Sequence, residues 1–354
     1  MLSKNLNFNL EKVKKNNSPI LSVIMPVFNG ERYLPDSINS ILNQSFKNFE
    51  FIIINDCSTD KTNYILSEYK SLDNRVIIIN NLKNKGIAYS LNEAIKISKS
   101  DLIVRMDADD ISLPNRLKRQ FDFMNQNPDI AISGMGAKIN NGSIFGMPLF
   151  KPFLDDNQIK SQLLFESPFM HPTIIFRKNV FQLNSLSYNL TFTSAQDYNL
   201  WVDFSRVSKM GNIIDAGIIY RLNSNSVSNK HKKEQTNFAD KIRENYLNKL
   251  GINFTNEEMI IHNRISKYED WFSLNDLIQV EKWLIKLKEI NKTDSIFDEI
   301  KFSDILSYYW TRSFIKCETV TLKSLRFYKN SYLYKKNNIN NFMFSIIKNK
   351  IKQS

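Results

Sequence analysis

The chain has 354 residues, 42% apolar and 24% charged, which excludes a disordered protein and predicts two domains, since single cores seldom grow past about 250 to 300 residues. Its formal charge is +12, and residues 319–354 hold eight Lys or Arg and no acid, a distribution suited to anionic lipid, to nucleic acid or merely to a solvated end. Two cysteines, Cys57 and Cys317, exclude a disulfide scaffold, no window approaches the roughly 18 apolar residues of a membrane span, and the polar residues 1–19 lack a signal core, so a cytoplasmic location is expected.

In chain order, residues 20–27 (ILSVIMPV) read as a buried strand, broken by Asn29 and Gly30 and followed over 32–43 by Leu34, Ile38, Ile41 and Leu42 at helical spacing. Next come a strand at 49–54, turn residues at 56–60, a helix at 61–70, a strand at 75–79, a polar loop, a helix at 87–97 and a fourth strand at 101–106. Strands alternating with helices in this way predict an α/β fold on a mostly parallel sheet, whose ligands sit outside the carboxyl ends of the strands. Asn29, Asp56 and Asp107 fall at those ends and should line one crevice. Beyond Pro114 the pattern is mixed: a helix at 117–124, strand-like runs at 130–139 and 144–147, a short strand at 173–176 after His171-Pro172, a helix at 196–204 with Asp197 in its first turn, and a strand at 213–220. An Asn/Ser/Lys-rich boundary at 223–233 precedes a highly charged stretch of helical period that spaces Trp271, Trp283 and Trp310 along amphipathic runs. The expected organisation is a polar extension over 1–19, a sheet domain over 20–230 and a basic, mainly helical region over 231–354.

The fourth strand runs into VRMDADDISLP, which crowds Asp107, Asp109 and Asp110 together, and like charges this close repel. An EF-hand calcium loop is excluded, because the positions that want Gly and Glu, counted from Asp107, are Ser112 and Lys118. An aspartyl-nucleophile phosphatase would carry its Asp pair after the first strand, not the fourth. Two readings of the cluster alone stay open: a solvated Asp-rich turn, and a Mg2+ or Mn2+ site whose hard carboxylate oxygens grip a diphosphate. Asp197 is open in the same way, between a favourable charge at a helix N-terminus and a general base. Trp201, one turn later, reads as core or as a sugar platform, and His171 as a turn residue or a substrate contact.

Five segments occur in register: SVIMPVFNGERYLPDSINSILNQSF, FEFIIINDCSTDKT, NKGIAYSLNEAI, VRMDADDISLPNRL and QDYNLW. Over about residues 20–228 they resemble the inverting family 2 glycosyltransferases of GT-A fold, of the kind that build bacterial surface glycans. The resemblance implies that Pro26, Val27, Phe28 and Glu31 belong to a nucleotide pocket, with Asp56 against the base and Asn84 and Gly86 closing over it. It implies Asp107 and Ala108 beside the ribose and sugar, Asp109 as the main ligand to Mn2+ or Mg2+, and Asp110, His171 and Trp201 towards the sugar and acceptor. Asp197 would be the general base, and the partners a UDP-sugar carrying a hexose or N-acetylhexosamine and a glycan or lipid-linked glycan acceptor. Two positions depart from the pattern: Asn223 in YRLNSNSVS stands where many relatives have His, and Leu91 where some have Arg. A sugar nucleotidyltransferase would carry a Gly-rich basic phosphate loop where MPVFNGERY has only Gly30; a non-catalytic nucleotide-sugar binder is the other rival.

The last segment, SLRFYKNSYLYKKNNINNFMFSIIKNKIKQS, interleaves Phe, Tyr and Ile with Lys. As a helix it has the composition of an interfacial segment, so attachment to an anionic membrane surface through 319–354 is expected alongside the plainer alternative of a docked helix with solvated lysines. No nucleic-acid-binding motif appears, and no such partner is expected.

Overall fold

The computed structural model describes residues 18–140, 142, 147–222, 232–267 and 270–336. Its first half alternates as expected: β1 (Leu21–Val27), α1 (Leu34–Leu42), β2 (Phe49–Asn55), α2 (Thr62–Leu72), β3 (Val76–Asn80), α3 (Ile87–Ile97) and β4 (Leu102–Arg105). Then follow β5 (Ile111–Ser112), α4 (Arg116–Gln126), β6 (Ile130–Asn140), β7 (Leu149–Phe150), α5 (Asp156–Gln162), a 3-10 turn (His171–Thr173), β8 (Ile175–Arg177), α6 (Lys178–Leu183), α7 (Gln196–Val207) and β9 (Lys209–Arg221). The helical region holds α8 (Lys232–Lys249), α9 (Asn256–Ser266), α10 (Leu274–Asp294), α11 (Glu299–Ile315) and α12 (Leu322–Asn330).

The strands make one sheet in the order β3-β2-β1-β4-β8-β6-β9-β5, with β7 on β6. The four strands of the first half pair in parallel. From β8 onward the sheet becomes mixed, because β8 runs antiparallel to both β4 and β6 while β9 returns parallel to β6. Pro26 falls just beyond the β1–β4 register, which ends at Ile24 and Arg105, so that ladder stops where its missing N–H would have to donate. Of the strand expected at 144–147 only Met147 is described, and the strand that pairs with β6 begins at Leu149. The departure at Asn223 and most of the expected boundary lie outside the described residues.

Alternation along the strands sends side chains to two faces. Val23, Met25, Phe51 and Ile53 pack with Ile38, Ile41, Leu66 and Leu117 on one side. Ile24, Ile52 and Ile54 belong to a second core that runs through Trp201 and on to Trp283, Trp310 and Tyr328 of the helical region, so both parts of the chain share one interior. Polar bonds close the seam: the Tyr309 hydroxyl donates to Glu166 Oε1 at 2.9 Å, and Arg312 donates to both Glu166 oxygens at 3.0 and 2.9 Å. His262 contributes a third link. Burial, with the Arg243 charge, pushes its pKa down to about 3, so the ring is neutral. Its Nε2–H donates to the Leu164 carbonyl at 2.7 Å, leaving Nδ1 to accept from the Trp283 indole at 3.0 Å. Among the described residues no helix is long and apolar enough to cross a membrane.

Candidate active site

The loops at the carboxyl ends of β1 and β2 are laced together through short polar side chains. Asn29 adopts φ 51° and accepts the Thr59 N–H on its Oδ1 at 2.8 Å, while its own N–H reaches Ser58 Oγ at 2.9 Å. Gly30 donates to Thr62 Oγ1 at 2.9 Å, and a Cβ there would lie 2.7 Å from Val27 Cγ2, so only glycine fits. The Glu31 carboxylate accepts the Lys61 N–H at 3.0 Å, so it braces the loop entering α2. Pro26 and Val27 are buried beneath this rim, and Phe28 stands exposed at its edge.

Asp56, nearly buried, folds the loop before α3 onto the sheet. One oxygen accepts from Asn81 Nδ2 at 2.6 Å and the Lys85 N–H at 2.9 Å, and the other accepts the Gly86 N–H at 2.8 Å. Gly86 supplies φ 83° there, and Asn84 Oδ1 takes a second bond from its N–H at 3.2 Å.

The acid loop after β4 is clamped from three sides. Ser37 of α1 donates to the carbonyls of Ala108 and Asp110 at 2.8 and 2.6 Å. Arg116 of α4 donates to the Arg105 carbonyl at 2.6 Å, and the Arg221 N–H at the end of β9 donates to Asp110 Oδ1 at 2.9 Å. Held this way, Asp107, Asp109 and Asp110 each bring a carboxylate oxygen within 4.8 Å of the others. Positive charge makes this tolerable: the buried Arg105 guanidinium forks onto Asp107 with both bonds at 2.5 Å, Arg116 is fully buried beneath, and Arg221 donates to the Asp109 carbonyl at 3.3 Å.

Compensation is incomplete. Burial, then the Asp107 charge, lifts the Asp109 carboxyl to about 6 against the pull of Arg105 and Arg221. Burial with the charges of Asp107 and Asp109 lifts Asp110 to about 8, and its Oδ2 is buried without a hydrogen-bond partner. An all-oxygen set with an orphaned carboxylate oxygen fits a hard divalent cation.

Asp197 enters on the first turn of α7, just past Ala195 at φ 58°. Burial raises its pKa, while the Tyr198 N–H and the Arg105 charge act in the opposite sense and the Asp107 charge adds to the rise, so Asp197 lies within the field of the acid cluster. His171 Nε2 is 2.8 Å from the Tyr188 hydroxyl, and burial with the Arg105 charge holds the ring neutral. Trp201 and Asp110 both lie deep in the fold. Trp201 is fully buried, edge-on to His171 at 5.8 Å, so it is a core support and offers no face to a sugar. Asp110 is buried with one oxygen on the Arg221 N–H, so it faces the cluster and not acceptor hydroxyls.

Sequence reasoning missed Arg105, Arg116, Tyr188 and Arg221. Arg105 had a legible signal, since a basic residue ending an otherwise apolar strand two positions before an acid needs a partner. Arg116 stands inside the segment VRMDADDISLPNRL but carries no sign there of the Arg105 carbonyl it holds, and Tyr188 and Arg221 come from distant segments and had no signal.

The mixed sheet with the acid loop at its strand ends is a GT-A fold. Residues 22–182 match the family described as Glycosyl transferase family 2. A Haemophilus influenzae protein named as an uncharacterized glycosyltransferase is 36% identical over 253 residues, 67% of this chain and 77% of the relative. The Escherichia coli protein WfgD, named as a UDP-Glc:alpha-D-GlcNAc-diphosphoundecaprenol beta-1,3-glucosyltransferase, is 31% identical over 219 residues, 61% of this chain and 82% of the relative. The fold matches that of S. aureus TarS residues 1–349 in complex with UDP-GlcNAc, with a TM-score of 0.52 at 18% identity over 88% of this chain and 79% of that one. The chain belongs to glycosyltransferase family 2 and is a transferase.

Proposed function

We propose that this enzyme moves one hexose or N-acetylhexosamine from a UDP-sugar to a hydroxyl of a bacterial surface glycan, by direct displacement with inversion. The observation that carries the reading is the acid cluster with its orphaned Asp110 oxygen, set at the strand ends within electrostatic reach of Asp197. UDP is favoured by the donor named for WfgD and the ligand named for TarS, and a surface-glycan acceptor by the WfgD name. The exposed Phe28 ring suits a base, and the Asp56 carboxylate fixes the loop of Asn84 and Gly86 that would cover it.

Asp107, Asp109 and Asp110 would hold Mg2+ or Mn2+, which when bound neutralises charge on the departing diphosphate. Asp197 takes the proton of the attacking hydroxyl as its bond to the anomeric carbon forms, and a raised pKa strengthens it as a base. Arg105 holds Asp107 in place. On α12, Lys323, Arg326 and Lys329 recur on an exposed face beside Val320, Leu322 and Tyr332, which supports docking of 319–336 on an anionic leaflet; residues 337–354 lie outside the described residues.

The test is Asp197→Asn. Calorimetry with Mn2+ and UDP should give unchanged binding, while sugar transfer falls by about 10² to 10⁴. Unchanged turnover would remove Asp197 from the mechanism, and absence of heat with UDP would remove the donor assignment. Pelleting with anionic vesicles, full chain against one ending at residue 318, tests the membrane surface; equal binding by both discards it.

A further inference from the structure

Asp197 feels the charges of Arg105 and Asp107 towards the acid cluster, and it also lines a cavity of about 400 Å³. One wall of that cavity belongs to the sheet domain, through Glu166, Ser167 and Ala195. The facing wall comes from the helical region, with Gln235, Thr236 and Ala239 of α8 and Lys267 just past α9.

We propose that this cavity is the acceptor subsite, that it receives an uncharged saccharide end, and that the helical region is therefore part of the active site. The inference rests on the reading of Asp197 as general base. A base must stand about 2.6 to 3.2 Å from the hydroxyl it deprotonates, so the acceptor has to occupy a space that Asp197 borders. The diphosphate end of the donor lies with the acid cluster, which leaves the cavity for the acceptor. Its volume falls in the range of about 300 to 1,000 Å³ usual for small-ligand sites.

The lining specifies the chemistry. Ala195 and Ala239 keep the space open, and Gln235 presents an amide. The walls are stiff: Glu166 is fixed by Tyr309 and Arg312. The cations there already have protein partners. Arg243 donates to Asn263 Oδ1 at 2.8 Å and pairs with Asp240, and Lys267 Nζ lies 3.1 Å from Asp240 Oδ2. A uronate or phosphate would have to displace these pairs, whereas a neutral sugar needs only the hydrogen-bonding groups.

The experiment is saturation-transfer NMR on the full chain with methyl glycosides of glucose, galactose, GlcNAc, GalNAc and glucuronic acid, beside calorimetry with Mn2+ and UDP. Wild type should take up at least one neutral glycoside and not the glucuronoside. Ala239→Trp, which fills the cavity, should cut that signal by about tenfold, and Gln235→Ala should lower it without the risk of overpacking, both with UDP affinity within about twofold of wild type. No neutral glycoside bound, preference for the glucuronoside, or binding undiminished in both variants would overturn the proposal. If wild type fails to bind UDP with Mn2+, the transferase reading falls instead, whatever the glycosides do.

Discussion

The individual ionisable groups at this site work against their own charge. Asp197 is lifted above the ordinary carboxylate range chiefly by burial, and a general base acts only when deprotonated. The acid limb of the kcat/KM profile for transfer should therefore lie at higher pH than a solvent-exposed Asp would set, and a limb below pH 4 would contradict this. Asp110 carries a stability consequence. A carboxyl raised in the folded state binds its proton more tightly folded than unfolded, so the stability it contributes is present at low pH and is lost as pH rises towards about 8. Metal-free protein in EDTA should accordingly melt at a lower temperature at pH 8 than at pH 6.5. Added Mn2+ should remove most of the difference, because a ligand bound only by the folded state stabilises it. His262 acts oppositely only below its ordinary value near 6.5, outside this window.

At the level of elements, the acid loop is correct because three separate segments hold it. Arg105 is the sharpest case: replaced by Met, it would leave the half-buried Asp107 unpaired, and breaking such a pair costs about 3 to 5 kcal/mol. Urea unfolding checks the loss, and Arg105→Lys should recover only part of it because an ammonium cannot fork. Gly136 makes β6 fit between β7 and β9, since a Cβ there would lie 2.7 Å from the Ile214 carbonyl and 2.9 Å from that of Phe150. Backbone cannot yield as a flexible side chain does, so Gly136→Ala should cost about 1 to 3 kcal/mol by the same measurement. Thr255→Ala, which deletes the capping box of α9, should cost about 1 kcal/mol and leave UDP binding unchanged.

The molecule as a whole has one interior. The core that begins under the sheet at Ile24 and Ile52 continues to Trp310 and Tyr328, and Arg312 and Tyr309 reach back to Glu166. The full chain should unfold in a single calorimetric transition, and a fragment ending at residue 222 should aggregate because it uncovers the apolar face that the helices bury. Two independent transitions would show the helical region to be a separate folding unit.

Local information was enough for much of this protein. Apolar runs alternating with helical periods determined β1 to β4 and their helices, because strands buried on both faces must be continuously apolar and crossovers must be amphipathic. The acid cluster and Asp197 could be singled out because each lies in one short segment, but those segments alone left turn, cap and functional site open, and only the resemblance of five segments in register assigned them roles. Tertiary structure alone decided the rest. Short strands such as β5 and β7 carry too few residues for a period, and Tyr188 and Arg221 acquire meaning only when segments far apart in the chain converge. The depth at which Trp201 and Asp110 lie was not legible, because burial is a property of what surrounds a residue, and their neighbours come from across the fold. That convergence is what sets three carboxylates against buried arginines and lets helices from the far end of the chain wall the space beside Asp197.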